Sequence, residues 1–119
     1  TWGGNVVDMV RISLYLQIIE NENLVERAGT TGYFLLSKLN DIQNEFPDLV
    51  SNARGQGLFA AFDLPDSDSR DRLANIILKE GAIVLGSGVR SIRFRPHLNI
   101  SEDEINHGID IIKRSLHRM

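Results

Sequence analysis

Two arginines are the sharpest chemical feature of this sequence. From Ser91 to Pro96 the residues alternate strictly, so Arg93 and Arg95 leave one face of a strand while Ile92 and Phe94 leave the other. Two planar guanidinium forks on one face, flanked by an aromatic and a proline, can grip a carboxylate through parallel hydrogen bonds. A solvated strand face is the other reading of the same pair. The three histidines support no Ser-His-acid set, because His107 and His117 lie ten residues apart in one helical pattern, about 80° off a common face. Both read as surface residues. His97 follows Pro96 at the end of the arginine strand. The acidic run Asp63, Asp66, Asp68 and Asp71 fails as a calcium loop. Counted from Asp66, Arg70 falls at position five, Asp71 replaces the glycine needed at six, and Ile77 occupies twelve. Helix capping and charge suited to a helix N-terminus account for the run. Gly3-Gly4, Gly55-Gln56-Gly57 and Gly86-Ser87-Gly88 match no P-loop or complete dinucleotide fingerprint. The latter two read as turns. Gly3-Gly4 has the Thr1 hydroxyl beside it and a helix start after it, an arrangement that can hold phosphate oxygens.

The elements that must position these residues follow from length and pattern. The 119 residues suit one domain with a real core, and the 42% hydrophobic and 24% charged composition is ordinary for a globular chain. Thirteen Lys and Arg against sixteen Asp and Glu give a net charge of −3, which argues against a nucleic-acid or anionic-membrane binder. The absence of cysteine excludes disulfides, thiolate metal sites and cysteine nucleophiles. The apolar runs fall far short of the about 20 residues needed to span a bilayer. The start at Thr1-Trp2-Gly3-Gly4, with no methionine before it, reads as a loop inside a longer protein, so the chain is expected to be its C-terminal piece.

A helical pattern runs from about Val6 to Asn21 with apolar residues on much of its circumference, as expected of a helix covered on more than one side. Asn23 and Glu26 have capping-box spacing. Leu24, Ala28, Thr31, Leu35, Leu39, Ile42 and Phe46 then mark a long amphipathic helix stopped by Pro47. Strands are expected over Leu49 to Arg54, Leu58 to Phe62, Ile83 to Leu85 and Ser91 to Pro96. A short helix through Leu73, Ile76 and Ile77 ends at Gly81. Ser101 and Glu104 form another capping box before a closing helix with Ile105, Ile109, Ile112 and Leu116 inward. The order α-α-β-β-α-β-β-α predicts a two-layer α+β domain, a mixed sheet with helices on one face. Residues 1–22 would be a loop and an interdomain helix, and residues 23–119 the C-terminal small domain.

Three segments resemble class III pyridoxal-phosphate-dependent aminotransferases. Thr1-Trp2-Gly3-Gly4-Asn5 resembles their T-[WFY]-G-G-N segment, Arg54-Gly55-Gln56-Gly57-Leu58 their R-G-x-G-L strand pair, and Ile92-Arg93-Phe94 their I-R-F strand. They occur in the family's order across essentially the whole chain. Within the class, Asn5 to Arg11 and Arg93-Phe94-Arg95-Pro96 resemble the branch that acts on the ε-amino group of L-lysine. His97 departs from the family, which usually has a second proline there.

The resemblance implies the small domain of a fold-type I transferase and a ping-pong transfer of an amino group from L-lysine to 2-oxoglutarate. It assigns Thr1 to the phosphate of pyridoxal 5'-phosphate in the neighbouring subunit of a homodimer. Arg93 it assigns to the α-carboxylate of 2-oxoglutarate or glutamate. The lysine that carries the cofactor, the aspartate at its pyridine nitrogen and a glutamate that pairs with Arg93 while lysine reacts would belong to the large domain. No catalytic residue and no metal ligand is expected in this chain, which alone would be inactive. The implied location is cytoplasmic. An ornithine- or 4-aminobutyrate-type enzyme of the class, a non-catalytic ferredoxin-like binding domain, and a pure assembly module are the competing readings.

Overall fold

The computed structural model describes residues 3–119. Its elements follow the expected order: α1 (Val6–Asn21), α2 (Leu24–Glu45), β1 (Ser51–Gln56), β2 (Phe59–Asp63), α3 (Ser67–Lys79), β3 (Leu85–Ser87), β4 (Ser91–Phe94) and α4 (Glu102–Leu116). The four strands form one sheet in the order β1-β2-β4-β3. Every pairing in it is antiparallel, which corrects the expectation of a mixed sheet. The long excursion through α3 returns the chain beyond β4's place, and β3 and β4 then close as a hairpin.

One face of the sheet carries the core. Ala60, Phe62 and Ile92 point inward and are buried against Leu35, Leu39 and Ile42 of α2, Leu73 and Ile77 of α3, and Ile105, Ile109 and Ile112 of α4. This is the inward stripe that the three-to-four-residue spacing anticipates. Gly32 allows the closest approach between the layers. A Cβ built there would lie 2.3 Å from the backbone carbon of Gly57, so α2 rests directly on the β1–β2 turn. The opposite face of the sheet bears Arg54, Phe59, Ala61, Asp63, Ser91 and Arg93, by strand alternation, and among the described residues no helix covers it.

The helix ends show where local signals hold. Ser101 caps α4 with a complete capping box: its hydroxyl accepts from the Glu104 backbone, and the Glu104 carboxylate accepts from the Ser101 backbone at 2.8 Å. Asn23 does not do this for α2. The link from α1 is so short that Asn23 takes a left-handed conformation (φ 50°) and its amide donates to Glu26 Oε2 instead of capping the backbone. Gly81 ends α3 at φ 97°, as expected. Ile83 and Val84 lie before β3, and Ile83 is fully exposed in practice (82%), so the apolar run predicted as a strand is displaced toward Gly86 and Ser87.

Helix α1 is the outlier. Asn5 caps it, accepting from Val7 and Asp8, yet none of its residues is buried. It packs on α2 and otherwise projects. The Cα radius of gyration is therefore 16.7 Å, against about 13–14 Å for a compact chain of this length. Among the described residues no helix is long and apolar enough to cross a membrane.

Candidate functional site

Strand β4 is an inner strand, paired with β2 on one side and β3 on the other. Arg93 sits at its centre, opposite Ala61 of β2 and Leu85 of β3. Ile92, fully buried, and Phe94, whose ring lies 5.3 Å from that of Phe62, anchor the strand from the core side. Alternation then directs Arg93 to the uncovered face. There its guanidinium carbon lies 5.8 Å from the centre of the Phe59 ring, a cation–π geometry that orients the fork. Ala61, directly opposite, leaves room beside it.

Arg93 has the character of a binding group. Its Nε is buried and has no hydrogen-bond partner, and among the described residues no carboxylate pairs with it. A buried donor left unsatisfied is costly, so an anion that completes it gains more than it would at a solvated arginine. Arg95 lies one residue past the end of β4 and is exposed. The structure therefore separates the two arginines that the alternation grouped: Arg93 is built into the sheet, and Arg95 is not. Near them a recess of about 340 Å³ is lined mainly by apolar side chains such as Leu35, Val84, Ile105 and Ile109.

Two residues from Arg93, Ser91 belongs to a polar cluster that sequence reasoning missed. Asp63 Oδ1 accepts from Arg54 Nη1 at 2.9 Å and from the Ser91 hydroxyl at 2.6 Å. Its Oδ2 accepts from the Asn52 amide at 2.9 Å. Arg54 Nη2 also donates to Ser91 Oγ at 3.1 Å, so one guanidinium ties β1 to β2 and β4. Burial alone would raise the Asp63 carboxyl. The hydrogen bonds from Ser91, Asn52 and Arg54, with the charge of Arg54, outweigh it and lower the group to about 2. Asn52 reaches Asp63 because β1 bulges there: two residues oppose Phe62 alone, and Asn52 adopts φ 54°. The pairing of an arginine in one strand with an aspartate in the next was available in the sequence as a signal; the bulge was not.

The remaining candidates fall away from this face. His97 bonds Asn99 through Nδ1 at 2.9 Å in the loop after β4, and Arg27 of α2 holds that loop by donating to the Asn99 and Ile100 carbonyls. His107 is exposed on α4, and His117 meets the edge of Phe46, 4.9 Å between ring centres. Asp66 caps α3 through the Ser69 backbone, the helix-start role anticipated for the acidic run. Thr1 lies outside the described residues.

Comparison with known proteins bears on this arrangement. The model of the class III aminotransferase family matches residues 1–116. The L-lysine-epsilon aminotransferase of Mycobacterium tuberculosis is 41% identical over 116 residues, covering 98% of this chain and 26% of that protein. The mitochondrial 4-aminobutyrate aminotransferase of Sus scrofa is 38% identical over 98 residues, covering 82% of the chain and 20% of the relative. Among solved structures, lysine aminotransferase from M. tuberculosis superposes with a TM-score of 0.95 over 98% of this chain and 27% of its own. An acetylornithine aminotransferase from Elizabethkingia anophelis gives 0.82 at 25% identity over 87% of this chain and 28% of its own. The chain thus spans about a quarter of the length of these relatives. With residues 1–116 matched by the family model and 98% of its length matched in fold, the chain belongs to the class III aminotransferases.

Proposed function

We propose that this chain is the small domain of an L-lysine 6-aminotransferase and that Arg93 receives the α-carboxylate of 2-oxoglutarate. The reaction moves the ε-amino group of L-lysine to 2-oxoglutarate, leaving 2-aminoadipate 6-semialdehyde and L-glutamate. The observation that carries the reading is Arg93 itself: centred on an inner strand, oriented over Phe59, with a buried Nε that lacks a partner. The lysine aminotransferases among its relatives support the choice of amino donor.

The described residues suit the substrate's carboxylate, not the cofactor. Lys113 is paired with Glu45, Lys38 lies over Phe34, and Lys79 closes α3, so no amine stands beside Arg93 for a cofactor to attach to. Pyridoxal 5'-phosphate supplies the electron sink of this chemistry when bound. Its attachment is proposed for the large domain, with Thr1 at the phosphate of the neighbouring subunit. Residues 1–22 are proposed as the loop and interdomain helix and residues 23–119 as the small domain proper. The exposed apolar residues of α1, such as Val10 and Leu14, support that division. The reading carries with it a homodimer in the cytoplasm.

The two half-reactions make different demands on Arg93. Only 2-oxoglutarate places a carboxylate beside the reacting carbon; L-lysine reacting at its ε-amino group does not. In the full-length enzyme, Arg93→Ala is expected to cost about 2–5 kcal/mol in the keto-acid half, roughly thirty- to several-thousand-fold in kcat/KM. The lysine half should lose much less. Arg93→Lys should recover only part, because an ammonium cannot present two parallel donors. Single-turnover absorbance measurements of each half-reaction make the comparison, and equal losses in both would refute the assignment.

A further inference from the structure

Asp63 and Arg93 stand close enough to pair, and they do not. The register sets Asp63 opposite Ser91 and Ala61 opposite Arg93, so the two are diagonal neighbours on the uncovered face. Such neighbours lie about 7–8 Å apart at Cα, within reach of an arginine side chain. Yet both Asp63 oxygens are occupied by Arg54, Ser91 and Asn52, and Arg93 turns toward Phe59. Arg90, the other cation facing this carboxylate, is 3.9 Å from Oδ2 and half-exposed, too far to hold it by a hydrogen bond.

We infer that Arg54 is a positioning residue that keeps Arg93 open to the keto acid by engaging Asp63, the carboxylate that would otherwise capture it. The inference rests on the reading of Arg93 given above. Three features support it. Arg54 reaches across three strands and bonds both Asp63 and Ser91, so it fixes the carboxylate and its opposite residue together. Asp63 is nearly buried and strongly acidic, so it stays anionic at any working pH and would compete at all of them. Finally, among the described residues no carboxylate pairs with the Arg93 guanidinium, so it can take one from either source.

The test uses the full-length holoenzyme. Arg54→Met removes the charge and donors while keeping an unbranched stem. It should raise KM for 2-oxoglutarate about three- to thirtyfold, the range expected for a competing ion pair in a partly closed site. It should leave KM for L-lysine within about twofold. Adding Asp63→Asn removes the competitor and should return KM for 2-oxoglutarate to near its original value, and Arg54→Lys, which keeps the charge beside Asp63 but not both donors, should raise it less than Arg54→Met does. A purely architectural role would predict the opposite pattern, with losses in both half-reactions that deepen when the second substitution is added. No rise in KM with Arg54→Met, or a rise that Asp63→Asn does not reverse, overturns the inference. Arg93→Ala in parallel tells the two levels apart. If it leaves the keto-acid half intact, the reading of Arg93 fails and this inference with it; if it abolishes that half while Arg54→Met does nothing, only the inference fails.

Discussion

Gly29 and Gly32 stand one turn apart on α2, and the structure assigns them opposite responses to the same substitution. Replacing a helical glycine by alanine gains about 1 kcal/mol from reduced backbone entropy in the unfolded chain. At Gly29 nothing lies within 4 Å of the new Cβ, so that gain should be realised in full. At Gly32 the Cβ would lie 2.3 Å from the carbon and oxygen of Gly57 and 2.5 Å from its Cα. These are backbone atoms, and Gly57 is itself held at φ 55° in the β1–β2 turn, so no side chain can rotate away. Relief requires α2 to lift off the sheet by about an ångström, and overpacking of this kind costs about 1–3 kcal/mol or more. Gly32→Ala should therefore be neutral to destabilising by about 2 kcal/mol, and the two variants should differ by about 1–3 kcal/mol. For a chain of this size that is a gap of roughly 4–15 °C in Tm. Thermal and urea unfolding of the 119-residue chain, with unchanged m-values as the control for two-state behaviour, would measure it. If Gly32→Ala proves as stable as Gly29→Ala, the close approach of helix and hairpin at Gly57 is refuted.

Two further outcomes are expected. The lowered Asp63 carboxyl contributes stability above its unfolded value of 3.8 and loses it as pH falls through about 2. About 2 kcal/mol should therefore disappear across that window, and pH-dependent unfolding of Asp63→Asn should lack that component. In the 119-residue chain α1 should exchange its amide hydrogens far faster than α4, since α1 has no buried residue while six residues of α4 are buried. Equal protection of residues 7–19 in a demonstrated monomer would contradict this.

The sequence made the order of elements legible because most boundaries rest on local chemistry. Ser101 with Glu104, Asp66 before α3 and Gly81 after it act through their own backbone neighbours, and each is found in its expected role. Asn23 fails because its task depends on the adjoining helix: with only Glu22 and Asn23 between the helices, the chain needs a left-handed residue more than a cap. Ile83 and Val84 fail because an apolar run states that residues avoid water and not which partner covers them. Direction in the sheet is likewise non-local, and the all-antiparallel pairing depended on where α3 returns the chain. At the site, alternation placed Arg93 on the correct face but gave Arg95 equal standing. Only the end of β4 at Phe94 divides them. Of the Asp63 cluster only the pairing with Arg54 was within reach, since the Asn52 donor arrives through a bulge.

That bulge has a consequence for how this sheet meets other proteins. β1 and β3 are its two open edges. Long flat edges recruit foreign strands and lead to aggregation. β1 is broken near its start by Asn52 at positive φ, and the Ala53 amide is already bonded to Gln43 of α2 at 2.8 Å, so a visiting strand finds neither a straight backbone nor a free donor there. β3 offers only three residues. Both rims are thus poor templates for strand addition, and a neighbouring domain that approaches this sheet must do so broadside, over the surface from which Arg93 projects.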